Sequence, residues 1–519
     1  MPLPSSDQPW PPLDPRILGT LADHDAWYGA DPDALRNRYA NRGLRERPEN
    51  RPIQYRDGVF GRIARWFWGA PIPPGEKATS LHVPLAGDIA RTSSELLFSE
   101  PPQLIAAENQ QATQDALDDL VYGGLHAKLL EAGETCAALG GVYLRVVWDI
   151  SVDDRPWIDS VAADCAVPEM RYGRLRAVTF WTVIARDGNT VWRHLERHEP
   201  GHILHGLYEG TPGQLGKRLP LTANTATADL KDEQPTGTDL LTAAYVPNMR
   251  PARAWRHVPD AAGWGQSDFA GIEPIFDALD ETYSSWMRDI RNGKGRIVVP
   301  QSMLESNGPG QGTSFDAERN VYTGLNMLTR PGDANALDVV QFAIRVNEHR
   351  ETAHELMEIA VRQAGYSGAT FGLDGDGSAI TATEVKARQT RSLTTRGRKV
   401  LYVTPEVSSI THAWLGVMAG PLFRVQGLDL SEPPRVEFPD GITESQQETA
   451  TALQLFTAAD AMSTQVKVQI IHPDWDDDQV QAEVTRIHGE RAIGPLADPA
   501  AVGAGGQGLF GGDPADGGA

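Results

Sequence analysis

Four histidines, His194, His198, His202 and His205, crowd one short stretch of the chain. Imidazole nitrogens are favoured ligands of zinc and nickel, so the cluster raises a metal site. No cysteine is near, however, and the spacing fits no closed zinc pattern. If a hairpin turns at Pro200-Gly201, strand alternation brings some of these rings face to face, and a structural or solvent-exposed role is expected. Acids gather in HPDWDDD, where Asp474, Asp476, Asp477 and Asp478 follow Pro473. A two-metal nuclease needs such carboxylates to converge. Acids after a proline at a helix start are explained more simply by capping and the helix dipole. The loop FGLDGDGSAITATE carries Gly372, Asp374, Gly375, Asp376 and Gly377. It lacks the preceding strand and the Lys-Ser/Thr pair of a phosphate loop. It also lacks the bidentate glutamate of a calcium loop.

The strongest basic run is Lys386, Arg388, Arg391, Arg396, Arg398 and Lys399, with no acid between them. Such a run can neutralise DNA phosphates or pair with acids of a neighbouring copy. With 69 acidic residues against 47 basic ones, the inter-subunit role is favoured. No Gly-x-Ser-x-Gly elbow, His-Glu-x-x-His or Walker lysine occurs. Neither catalysis, a metal nor a cofactor is expected.

These groups sit among long helical patterns. In GIEPIFDALDETYSSWMRDIRNG, Ile275, Leu279, Trp286 and Ile290 recur at the three/four spacing of one helix face and should pack against the second long helix or a neighbouring copy. Ser267 and Asp268 stand where caps belong, and Gly293 falls just past the end. A second pattern runs from about Val346 to Ala364, closed by Gly365. Two long helices around an irregular, glycine-containing insertion describe a stalk better than a catalytic pocket. A further helix opens with a capping box, Thr381 and Glu384.

Upstream, residues 1–50 read as an extended arm with one short helix around Asp31 to Ala40, and FGRIARWFWGA as a docked segment. Helices are expected after Pro84 and from Asp115 to Leu130, with the glycines around Gly133 and Gly140 closing the helical run. Strands follow, with turns at Asp187-Gly188 and Pro200-Gly201, and then a loosely ordered strand-and-loop connection over 209–250. The tail from about Pro495 is expected to be disordered. Net charge is −22, the wrong sign for a protein that grips nucleic acid. The longest apolar run, near Trp414 to Phe423, is too short for a membrane span, and no secretory signal is visible. Cys136 and Cys165 are too few for a disulfide framework.

Four blocks resemble, in order, those of tailed-bacteriophage portal proteins. They are HVPLAGDIARTSSELLFSEPPQL, SDFAGIEPIFDALDETYSSWMRDIR, TATEVKARQTRSLTTRGRK and IHPDWDDDQVQAEVTRIHGE, and they span about 80 to 490. The resemblance implies an α+β portal fold assembled as a ring, usually of twelve subunits, at a capsid vertex. It implies an N-terminal arm over 1–80, a wing over 81–266 and stem helices at 267–293 and 337–364 around a clip at 294–336. A tunnel loop over 365–380, its helix and return to the wing over 381–440, a crown over 441–494 and a tail over 495–519 complete the chain. The tunnel loop would face the channel and stay mobile. Double-stranded DNA would pass through the ring. The large terminase subunit and head-tail adaptors would dock at the clip, and major capsid and scaffold proteins at the wing. The location implied is the virion, after assembly in the host cytoplasm, with no membrane. Rival expectations are a minor head or tail adaptor, which shares those partners, and an enzyme acting on polysaccharide, suggested by 13 Trp and many acids.

Overall fold

The computed structural model describes residues 3–4, 7–35, 81–292, 296–298, 305–306, 313–314, 338–340, 344–373, 382–439, 453–457, 462–472, 475 and 477–492. Beside the gaps, 291–292 and 382–388 among them, the backbone alone is described. The expected docked segment FGRIARWFWGA, most of the clip, Thr381 and the tail beyond 492 lie outside the described residues. The chain divides into a unit over Met1–Gly441 and a unit over Ile442–Ala519.

The larger unit begins with helix α1 (Pro15–Tyr28), where Asp14 accepts the Arg16 amide and Pro15 supplies a preset φ. Ile17, Leu21, His24 and Trp27 form its buried stripe. This corrects the expected extended arm: the polar residues there cap and solvate a helix whose other face is core. Helix α2 (Leu85–Leu97) follows Pro84 and buries Leu85, Ile89 and Leu97. After strand β1 (Gln103–Ile105), helix α3 (Gln111–Leu120) runs through a wide turn at Val121–Leu125 into α4 (His126–Leu139). The helical run thus starts before the expected Asp115, and Gly124 (φ 103°) marks its kink. Gly140 ends it in the left-handed region (φ 86°). A Cβ there would also stand 2.9 Å from the Gly265 carbonyl oxygen, so conformation and space both demand glycine.

Strands β2 (Gly141–Val147), β3 (Trp157–Ala162), β4 (Ala166–Arg171), β5 (Arg174–Asp187), β6 (Thr190–Glu199), β7 (His202–Thr211), β8 (Gln214–Leu219), β9 (Glu233–Pro235) and β10 (Ala243–Pro247) build two antiparallel sheets. One has the order β10-β2-β3; the other runs β4-β5-β6-β7-β8, with β9 also paired to β7. Turns fall at Gly188 and Gly201, both at positive φ, as the Asp-Gly and Pro-Gly signals require. The strand-and-loop connection expected over 209–250 does hold strands, but the fully buried β10 corrects its loose ordering. On β2 the period of two divides the interior. Val142, Leu144 and Val146 face a core built with α3, α4 and the last long helix, whereas Tyr143 faces a core built with α1, α2 and the stalk base.

Helices α5 (Glu273–Asn292) and α6 (Val346–Ala364) run antiparallel. The end of α5 meets the start of α6 through Asp289, which pairs with Arg345 and His349 at 3.0 Å each. Between them, β11 (Arg296–Val298) pairs with β14 (Asp338–Val340), and β12 (Glu305–Ser306) with β13 (Thr313–Ser314). Helix α7 (Ala382–Ala419) is 38 residues long, and β15 (Arg435–Glu437) returns to pair with β1. In the smaller unit, α8 (Thr464–Ile471) is capped by Ser463, whose hydroxyl oxygen accepts the Val466 amide. Helix α9 (Asp477–Ala492) follows, and His472 stacks on Trp475 in the turn between them.

Candidate functional site

The chain concentrates its buried charge where α2, α4, the approach to α5, the exit from α6 and α7 converge. Lys399 of α7 is 2 % exposed, and its ammonium lies 2.6 Å from the carboxylate of Asp268. It also donates to the Ser93 hydroxyl on α2. The same Asp268 oxygen accepts from the Tyr366 hydroxyl at 2.8 Å, and the other from the Asn248 amide at 2.7 Å. Burial, with Asp268 beside it, pushes the Tyr366 hydroxyl well above its ordinary value, so it stays protonated and donates. Every polar group in this junction has a partner, the condition under which a buried ion pair can persist. Asp268 is therefore no cap. The helix starts at Glu273, and Ser267 turns away to donate to the Ala137 carbonyl.

That junction corrects the reading of the basic run. Lys399 is spent inside its own chain. Arg396 is too, its guanidinium donating to the carbonyls of Leu96 and Pro439. Arg391 and Arg398 lie exposed on α7 and remain open to an outside partner. Of Lys386 and Arg388 only the helical backbone is described. Sequence could not separate the two sets, because their partners are brought in from distant segments.

The glycine loop, expected to be mobile, is anchored at its first half. Tyr366 is 1 % exposed and Phe371 packs edge-on against its ring. The hydroxyls of Ser367, Thr370 and Ser392 form a closed triangle that ties Gly368–Phe371 to α7. Leu373 packs on the core, and its carbonyl accepts from His354. Gly372 is exposed in the left-handed region (φ 66°). Asp374, Gly375, Asp376 and Gly377 lie outside the described residues.

Of the four stalk positions, Leu279 is buried and Ile275 packs half-buried against the same core. Trp286 stacks between Tyr283 and His349, its ring 9° from parallel to the imidazole. Ile290 is 40 % exposed in the single chain and is not part of that core. At the foot of the stalk, Trp27 of α1 packs on Phe276, and His24 reaches Glu273 at 3.5 Å.

The histidines do not share one centre. His194 and His205 stack, with ring nitrogens 3.1 Å apart. His198 bonds Glu196 and Thr242, and His202 pairs with Glu199. Burial drives the His205 pKa down to about 4, with His194, His198 and Arg145 adding to the effect against Glu196. Burial alone would raise the Glu196 carboxyl, but His198 and Arg145 hold it well below the usual range. Among the described residues no group of three or more His, Cys, Asp or Glu could hold a metal. Nor, among them, is any helix long and apolar enough to cross a membrane.

Against this geometry, the family model described as "Phage portal protein, SPP1 Gp6-like" matches residues 27–492. The chain belongs to that family. Two solved structures are similar at a distance. One is titled "Neck of empty GTA particle computed with C6 symmetry", with 15 % identity over 80 % of this chain and 98 % of the other, at a TM-score of 0.41. The other, "Neck of native GTA particle computed with C12 symmetry", has the same identity and coverage and a TM-score of 0.39. No curated protein matches the sequence.

Proposed function

We propose that this chain is the portal subunit of a tailed phage or phage-like particle, closing with copies of itself into a ring at one capsid vertex. The observation that carries the reading is the family match across residues 27–492, which takes in both sheets, the stalk and the smaller unit. The β4–β8 sheet and the helices around it then serve as the wing and α5 with α6 as the stem. The insertion between these two helices serves as the clip, and residues 365–380 as the loop at the channel. The family's role is structural. Terminase, head-tail adaptor, capsid and scaffold proteins are the partners, and double-stranded DNA is the cargo. Exposed Arg391 and Arg398 give α7 two positive charges for a neighbour's acids or for passing phosphates, in a chain whose net charge of −22 keeps adhesion to DNA weak. A twelve-fold ring is the expected stoichiometry. Native mass spectrometry of the purified full chain tests it directly. A closed ring of uniform size supports the assignment; a strictly monomeric chain at micromolar concentration removes it.

A further inference from the structure

The wing sheet has two apolar faces, and they are covered differently. His194, Glu196 and His198 on β6 lie on the inner face. Leu195, Trp181 opposite it on β5, and Tyr208 on β7 lie on the outer. Among the described residues, the outer face is covered by residues 3–4 and 7–10. Leu3 and Trp10, 6 % and 5 % exposed, close a cluster with Leu195, Tyr208 and Leu215, edged by Val167, Trp181 and Leu204. The segment is held through its backbone beside β8, with a single antiparallel bridge between Pro9 and Gln214. The Leu215 amide donates to the Gln8 carbonyl at 2.9 Å, the Trp10 amide to Gly213 at 3.1 Å, and the Tyr208 hydroxyl to Pro4 at 2.6 Å. Gly206 leaves the floor open for Leu3, since a Cβ there would stand 3.0 Å from its methyl group.

We propose that this outer face is a docking site for an extended segment with two apolar anchors, and that in the assembled ring its occupant is residues 3–10 of a second copy. The proposal rests on the ring reading above. The site takes backbone hydrogen bonds along β8 and two side chains in an apolar floor, the mode by which a sheet edge captures a peptide. Every copy brings both the segment and the site. The cluster around Leu3 and Trp10 is separate from the core that buries α1, so the two can be completed by different chains without loss to either. Between them runs only Pro11–Asp14, a short proline-bearing connector of the kind at which segments exchange between protomers. An exchanged segment makes the same contacts as a returned one and adds a link between neighbours. Around a ring such links reinforce one another by raising the effective concentration of each contact.

Pro9 and Gln214 face each other as a bridged antiparallel pair, which gives the test. Full-length Pro9→Cys and Gln214→Cys chains are co-assembled and oxidised, with the parent chain as control for Cys136 and Cys165. A covalent dimer of one variant with the other is expected. If the mixture gives none while the Pro9→Cys/Gln214→Cys double variant closes within a single chain, the exchange is overturned. A second arm reads the site without a ring. A labelled peptide of residues 1–14 should bind the full-length Leu3→Asp/Trp10→Asp chain, whose own segment is released. It should bind the same chain carrying Gly206→Leu about tenfold more weakly or worse. Equal binding to both, or to neither, removes the docking site. A trans cross-link in an assembly that is not a closed ring would sink the portal reading and leave the exchange standing.

Discussion

Lys399→Met leaves the Asp268 carboxylate buried without its counter-charge. Breaking a buried pair from one side costs about 3–5 kcal/mol, far more than deleting an exposed one. Chemical denaturation should show that loss, and Lys399→Met with Asp268→Asn should recover part of it, because the amide still bonds Tyr366 and Asn248. A single variant within about 1 kcal/mol of the parent would mean that the junction is solvated in solution. The inner wing face makes a second prediction, about pH. His205 titrates near 4 in the fold against an ordinary 6.5, so the unfolded chain takes up its proton first. Stability is complete above about pH 6.5 and drains as pH falls towards 4, by up to about 3 kcal/mol from this ring. The depressed Glu196 carboxyl adds a loss of the same sign at lower pH. Thermal melts between pH 7 and 5 should slope downward, and His205→Gln should flatten them; an unchanged slope would place the proton elsewhere.

At the scale of elements, the stalk hairpin offers the clearest measurement. Trp286 lies between Tyr283 and His349 but is only half-buried, so truncation to alanine should cost less than the roughly 3–5 kcal/mol of a fully enclosed tryptophan, about 1–3. Reduced ring yield with a lowered melting temperature is the expected result, and an unchanged pair of values would show the stack to be idle. Elements with strong periodicity were legible in sequence: α5 from its three/four spacing, α6 from the closing Gly365, and the β5–β7 hairpins from Asp-Gly and Pro-Gly. Those whose burial depends on distant partners were not. Helix α1 carries Ile17, Leu21, His24 and Trp27 at helical spacing, yet the prolines and charges around it read as an arm. Strand β10 is five residues within a polar stretch, recognisable only through its register with β2. Asp268 looked like a cap because its partners Tyr366 and Lys399 lie about a hundred residues or more away.

For the whole molecule, the loop beyond Leu373 is where assembly and passage of DNA should come apart. Its first half is tied to α7 through Ser392 and braced by Phe371 against the Tyr366 ring, so shortening the chain within 374–380 should leave folding and ring formation intact. Packaging or retention of DNA should change. Loss of rings in such a deletion, with no packaging defect of its own, would make the segment an interface element.

The pairing of β1 with β15 sets a schedule for synthesis. Leu104 waits for Val436 and Ser93 for Lys399, so the first half of the wing leaves the ribosome without parts that are encoded after the stalk. At about 5–20 residues per second, that wait lasts on the order of 15–65 s. During it the core facing Val142 and Leu144 has no α7 to close it, and a chaperone or a sister chain has access. Nascent chains stalled near residue 340 should therefore be cut readily by protease within the wing, and those stalled past about 450 should resist. Equal resistance at both lengths would show that the wing completes itself early. If the schedule holds, the order of the gene postpones ring closure until each subunit carries a finished wing.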